Sequence, residues 1–187
     1  MINIGLIGES PYDTTAIKHL LQQKYRDGFR YKILLRNITG DQLKTAKANR
    51  AAQDEITEHK PEIVIVIRDL DTHESNATEI AERYSWYNDI VKHNSGRSIF
   101  LLNIQELEAL ILADIKNTGD FYNLSMTYKG NVMAQTNPKE YLKSKTNKKY
   151  NVSHCPELFL KLDINTIAQN CRYFKIFIDE FESAIKN

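Results

Sequence analysis

Glu62 to Asp71 reads EIVIVIRDLD. Ile63 to Ile67 are five consecutive β-branched apolar residues, a run that reads as a strand buried on both faces, and such strands belong to parallel sheets covered by helices. The run ends at Arg68-Asp69-Leu70-Asp71, so two carboxylates stand one residue apart just beyond a buried strand. In an open α/β sheet that is where ligands bind, outside the carboxyl ends of the strands.

Working outward, the same alternation recurs on both sides. Ile2 to Ile7 is a short apolar strand ending at Gly8-Glu9. Ser10-Pro11-Tyr12-Asp13 then supplies a helix start, with a serine cap, a proline at the first helical position and an acid three residues after the cap. Ile17, Leu20, Leu21 and Tyr25 form its apolar face. Tyr31 to Leu35 reads as a second strand, Asn37 to Asp41 as a turn, and Asp41 to His59 as a helix that Pro61 stops. After the central strand, Asn76 with Glu79 matches a capping box ahead of Ile80, Tyr84, Tyr87 and Val91. Ser98 to Leu102 is a fourth strand, and Asn103 with Glu106 repeats the capping-box spacing before Leu107, Leu110, Ile111 and Ile115. Four strand-helix units in series predict right-handed βαβ crossovers in a mainly parallel four-stranded sheet flanked by helices.

The pattern changes after Lys116. Asn117 to Asn137 carries turn residues and no sustained period, Pro138 opens a short helical stretch, and KSKTNKKYN crowds Lys143, Lys145, Lys148 and Lys149 into one segment. A final helix from Asp163 or Asn165 places Ile167, Cys171, Phe174, Ile178, Phe181 and Ile185 on one face. The division expected is an α/β core over residues 1–116, with residues 117–187 contributing a loop, a basic segment and a C-terminal helix packed on it.

The 187 residues suit one core, and 25 Lys and Arg against 24 Asp and Glu produce no global basic field, so any nucleic-acid surface must be local. No leader segment and no membrane-length apolar run is present, so a cytoplasmic protein is expected. Cys155 and Cys171 lack the spacing of a zinc site or a disulfide framework and read as buried thiols.

If the first and third strands are neighbours, Glu9, Asp69 and Asp71 end on one edge of the sheet. Like charges raise each other's pKa, so three convergent carboxylates stay ionised cheaply only around a cation. Magnesium, or manganese, is the natural solution: hard divalent ions take carboxylate oxygens and leave positions for water and phosphate. Asp69 and Asp71 would then hold the metal, and Glu9 would serve as general acid or base or reach a second metal. The plainer reading stands beside it, in which an acid favours a helix start and the Asp-x-Asp pair solvates a strand end or pairs with Arg68.

The order of elements and acids resembles the Toprim fold, a small Rossmann-like parallel sheet with a glutamate after its first strand and Asp-x-Asp after a later one. NIQELEALILAD at Asn103 to Asp114 is similar to an acidic helix start in small stand-alone bacterial Toprim-like proteins, often associated with OLD-type ATPases or phage defence. Pro138-Lys139-Glu140, Lys149-Tyr150 and Cys171 to Ile178 resemble the C-terminal portion of those proteins, so the likeness covers most of the chain through short motifs. Where relatives usually follow the first glutamate with glycine, threonine and a second acid, this chain has Glu9-Ser10-Pro11-Tyr12-Asp13. The resemblance carries Glu9, Asp69 and Asp71 onto the metal-binding acids and implies that Glu108, with Glu106 behind it, completes the site. A capping role for Glu106 and plain helix propensity for Glu108 explain the same residues.

The function expected is a Toprim-like, magnesium-dependent nuclease hydrolysing phosphodiester bonds of DNA or RNA, with Glu9, Asp69 and Asp71 catalytic. Lys143, Lys145, Lys148 and Lys149, interleaved with Tyr141 and Tyr150, would contact the nucleic-acid backbone by charge and stacking, or else serve solubility. His73 reaches toward the same edge or is simply solvated, and His154 beside Cys155 has no second pair for zinc. The alternative is a non-catalytic Toprim-like module binding nucleic acid or an ATPase partner. A small-nucleotide-binding protein is weaker still, because no Gly-rich phosphate loop follows any strand.

Overall fold

The EIVIVI run is the most enclosed strand of the sheet because both of its faces and both of its edges are covered. The computed structural model of the chain describes residues 1–36 and 40–186, so the turn expected at 37–41 lies largely outside the described residues. Strand β3 (Ile63–Asp69) pairs with β1 (Ile2–Ile7) on one side and β4 (Arg97–Asn103) on the other, and β2 (Phe29–Ile33) lies beyond β1. The order is β2-β1-β3-β4 and every pairing is parallel. Ile63 to Ile67 are all buried, as two covered faces require.

This order contains a reversal. The chain leaves β1 toward β2 in one direction and leaves β3 toward β4 in the other. Right-handed crossovers then place α1 (Pro11–Lys24) on one face, and α3 (Ala46–His59) and α4 (Ala77–Val91) on the other. Helices α3 and α4 do pack together. The carboxyl ends of β1 and β3 flank the switch point, the place where open α/β sheets leave a crevice.

Local chemistry accounts for the helix starts. Ser10 Oγ accepts from the Asp13 amide at 3.1 Å with Pro11 at the first position of α1, and Asn76 Oδ1 accepts from the Glu79 amide at 3.2 Å to open α4. The helix expected over 41–59 is two, α2 (Gly40–Leu43) and α3, because the Thr45 hydroxyl caps the second through the Ala48 amide. Strand β2 begins at Phe29, two residues before the expected start, where it pairs with Ile2.

The Asn103 capping box does not form. Asn103 is the last residue of β4, and α5 (Glu108–Ala113) starts after Leu107 without a side-chain cap. Beyond it, α6 (Ile115–Tyr122) extends order into the stretch expected to be irregular, capped by Asp114, which also accepts from the Asp163 amide at 2.7 Å. Helices α7 (Pro138–Lys145) and α8 (Cys155–Leu158) follow, and the final helix is broken at extended Cys171 into α9 (Ile164–Asn170) and α10 (Arg172–Lys186). Helix α10 packs on β4, α8 packs on α1, and Tyr122, Leu142, Phe159 and Phe174 join Ile4, Ile65 and Leu110 in one buried apolar cluster. Ile185, expected inside, is only partly buried. Among the described residues no helix is long and apolar enough to cross a membrane.

Candidate functional site

Two loops are laced together beyond the carboxyl edge of the sheet. The Leu70 amide donates to the Asn103 carbonyl and the Asp71 amide to the Gln105 carbonyl, each at 2.9 Å, and the Gln105 amide returns to the Thr72 carbonyl at 3.3 Å. Asp71 and Gln105 both take the left-handed conformation, with φ of 60° and 65°. Aspartate tolerates that region better than most residues. Its consequence is a break in the strand's alternation, which separates two side chains that a continuous strand would place on the same face.

Asp69, the last residue of β3, therefore faces a different neighbourhood from Asp71. Its Oδ1 accepts from Asn103 Nδ2 at 2.9 Å. Burial pushes the Asp69 carboxyl well above the usual range, the Asp13 carboxylate adds to the rise, Asn103 opposes it, and Glu9 and Glu108 add smaller repulsions. Asp13, in the first turn of α1, is raised to about 7 by burial, with Glu108 and Glu9 contributing and the Ser10 hydroxyl opposing. Glu108, in the first turn of α5, is buried; burial raises its carboxyl, while the Tyr150 hydroxyl, donating at 2.8 Å to Oε1, pulls it down. Four carboxylates from four segments thus repel one another around the end of β3.

Glu9 joins this group to a second one. Its Oε1 lies 2.9 Å from Nε of Arg68, a guanidinium that is buried and stacked 4.1 Å above the Trp86 ring. Burial raises the Glu9 carboxyl, Arg68 opposes the rise, and Asp71 reinforces it. Arg68 thus pairs with Glu9, not with either acid of the Asp-x-Asp pair. Asp71 is exposed and stands 3.7 Å from Arg83, whose Nε donates to the Asp69 carbonyl at 3.2 Å.

The expected set is therefore split. Glu9, Asp69 and Glu108 share one electrostatic neighbourhood, and Asp71 sits on the arginine side of Glu9. Glu106 accepts the Lys139 amide at 3.1 Å and so caps the start of α7. Lys143 and Lys145 lie in the last turn of that helix, and Lys148 and Lys149 follow its end. Lys143 pairs with Glu140 at 2.6 Å and Lys145 lies over Tyr141. Tyr150 is buried on Glu108 and offers no stacking surface, since its ring and hydroxyl both face inward. His73 folds back on Ser75 at 2.9 Å, and His154 meets the Tyr122 hydroxyl at 3.0 Å.

Carboxylate oxygens are the donor type a hard divalent cation takes, and the buried Asn103 Oδ1 has no hydrogen-bond partner among the described residues. A cation brought here would have to draw Asp69, Asp13, Glu9 and Glu108 together around itself. Among the described residues no group of three or more histidines, cysteines, aspartates or glutamates is placed so as to hold a metal ion.

Three site residues escape a purely sequential reading. Asp13 has a signal, the acid four residues after Glu9 across one turn, which reads first as a helix-start residue. Asn103 has the spacing of a cap and is used as a donor to Asp69. Arg83 carries no signal beyond its place on a helix.

No curated protein and no solved structure matches the chain. A family model described as a domain of unknown function, DUF4276, matches residues 9–182, from Glu9 of the acidic site to Glu182 of the last helix. With nearly the whole fold inside that match, the chain belongs to the DUF4276 family.

Proposed function

We propose that the chain is a Toprim-like hydrolase of DNA or RNA phosphodiester bonds, dependent on magnesium or manganese. The observation that carries this reading is the crowding of Asp13, Glu9 and Glu108 around Asp69, which costs stability unless positive charge is brought among them. Perturbed carboxylates gathered at a sheet's switch point are a functional signature. A divalent ion bound there supplies polarisation of a phosphoryl oxygen and orientation of an attacking water.

The chain's own groups do the rest. Glu9, whose carboxyl burial raises while Arg68 opposes the rise, would take the proton from water, and Asp13 at about 7 would be a second proton acceptor. Asp69 is the principal ligand, Glu108 is steadied by Tyr150, and Asp71 meets the substrate side. The lysines at the end of α7 extend a path for a phosphate backbone away from the capped end beside Glu108.

Cleavage of labelled single-stranded DNA, duplex DNA and structured RNA, with magnesium or manganese, tests this reading. Wild type is expected to cut with metal, and D69N to be folded and inactive. Folded wild type that cuts nothing favours the second reading, a non-catalytic module for nucleic acid or an ATPase partner. One observation speaks for that alternative: Glu9, Glu106 and Glu108 each already have an internal partner.

A further inference from the structure

On the other side of Glu9 from Asp69, between the end of β3 and the first turns of α4, lies a cavity of about 580 Å³. Lys44, Arg68, Arg83 and Trp86 line it. Its size is that of a nucleotide-scale ligand. Arg68 is buried, its Nε is ion-paired with Glu9 Oε1 at 2.9 Å, and its guanidinium lies over Trp86 at the cavity wall. A guanidinium carries five donors, so one carboxylate leaves it able to receive a second anion.

Arg83, also buried, is held only loosely on the cavity side. Its partners there are Glu79 at 3.3 Å and Asp71 at 3.7 Å, both with substantial solvent exposure and free to swing outward. Asn76, the cap of the fifteen-residue α4, lines the same cavity, so the positive end of that helix faces it. Glu82 lies at the wall with the other two acids. Against them stand two fixed guanidiniums with planar donor edges, a lysine and a helix start, the set that recognises a phosphate.

We propose that this cavity binds a phosphate group of a nucleotide or nucleic-acid strand, which replaces Asp71 and Glu79 on Arg83 and gives the Arg68 guanidinium a second anionic partner beside Glu9. That the phosphate belongs to nucleic acid rests on the nuclease reading; the cavity's affinity for phosphate does not. Bound there, it would lie beside Glu9 and next to the acid cluster.

Trp86 is the only tryptophan in the chain, so its fluorescence reports on this cavity alone. The experiment titrates the full chain, in EDTA, with pyrophosphate, a 5′-mononucleotide and a 5′-phosphorylated tetranucleotide, following Trp86 fluorescence and melting temperature. A saturable change is expected, weakened at least tenfold in R83Q and in the charge-conserving R68K, less in K44A, and unchanged in the remote surface variant K175A. Tightest binding of the tetranucleotide identifies a strand phosphate, and tightest binding of the mononucleotide a free nucleotide. No saturable change with any probe, or folded R83Q and R68K binding like wild type, overturns the proposal. Binding without any cleavage keeps the phosphate cavity and removes the nuclease reading; cleavage with wild-type behaviour in R83Q does the reverse.

Discussion

Asn103 Nδ2 donates to Asp69 Oδ1 across 2.9 Å, joining the last residues of two neighbouring strands whose Cα atoms are in register. The bond lowers the proton affinity of a carboxylate that burial and three other acids push up. N103A is expected to raise the Asp69 pKa further and to lower stability by about 1–2 kcal/mol. Carboxyl-carbon NMR titration reads the first effect and denaturant unfolding the second. An unmoved Asp69 titration would show that the amide does not hold the carboxylate.

The acid cluster fixes a direction for the pH dependence of stability. Asp13 titrates near 3.8 unfolded and about 7 folded, and Glu9, Asp69 and Glu108 shift the same way. The folded state therefore holds protons that the unfolded state has released. Their contribution is full below about pH 4 and is lost as pH rises through about 7. Metal-free protein should melt higher at pH 5 than at pH 8, and D13N should flatten that difference by raising the melting point at pH 8. A melting point that rises from pH 5 to pH 8 in both proteins would sink the prediction.

Removing the Tyr150 hydroxyl isolates Glu108. Y150F leaves a buried carboxylate without its donor, so a loss of roughly 1–3 kcal/mol is expected at pH 8, and a smaller one at pH 5 because the raised Glu108 carboxyl takes up a proton more readily than a free glutamate. Equal losses at both pH values would mean that the hydroxyl stabilises by packing alone.

Asp69 and Asp71 should respond differently to the same change. D71N removes only a contact 3.7 Å long at an exposed side chain, so its melting point should stay within the equivalent of about 1 kcal/mol of wild type at any pH. D69N takes a charge out of the cluster and should stabilise the metal-free protein at pH 8. Matching melting curves for the two variants would contradict the split between the acids.

Gly96 is needed for close approach at the start of β4. A Cβ there would stand 2.5 Å from the Glu62 carbonyl oxygen, which accepts the Arg97 amide at 2.9 Å to begin the β3–β4 pairing. G96A is expected to cost about 1–3 kcal/mol in chemical denaturation. A variant as stable as wild type would mean that the turn relaxes freely.

Much of the frame was readable because it rests on local rules. The β-branched run at Ile63 to Ile67 required a strand covered on both faces, and Ser10 and Asn76 opened helices where their side chains reach the amides three residues on. Asn103 misled for the same reason: its spacing to Glu106 satisfies a local rule, but Asp69 on the adjacent strand is the partner it takes.

The sequence alone determined a parallel α/β fold with acids after its first and third strands, since periodicity, caps and breakers act within a few residues. Which acids meet was decided only by the tertiary structure. Strand order brought Glu9 to Arg68 and Asn103 to Asp69, and a left-handed residue at Asp71 turned the second acid of the pair toward Arg83. These contacts join residues far apart in the chain and depend on backbone direction after a strand ends, neither of which local spacing encodes.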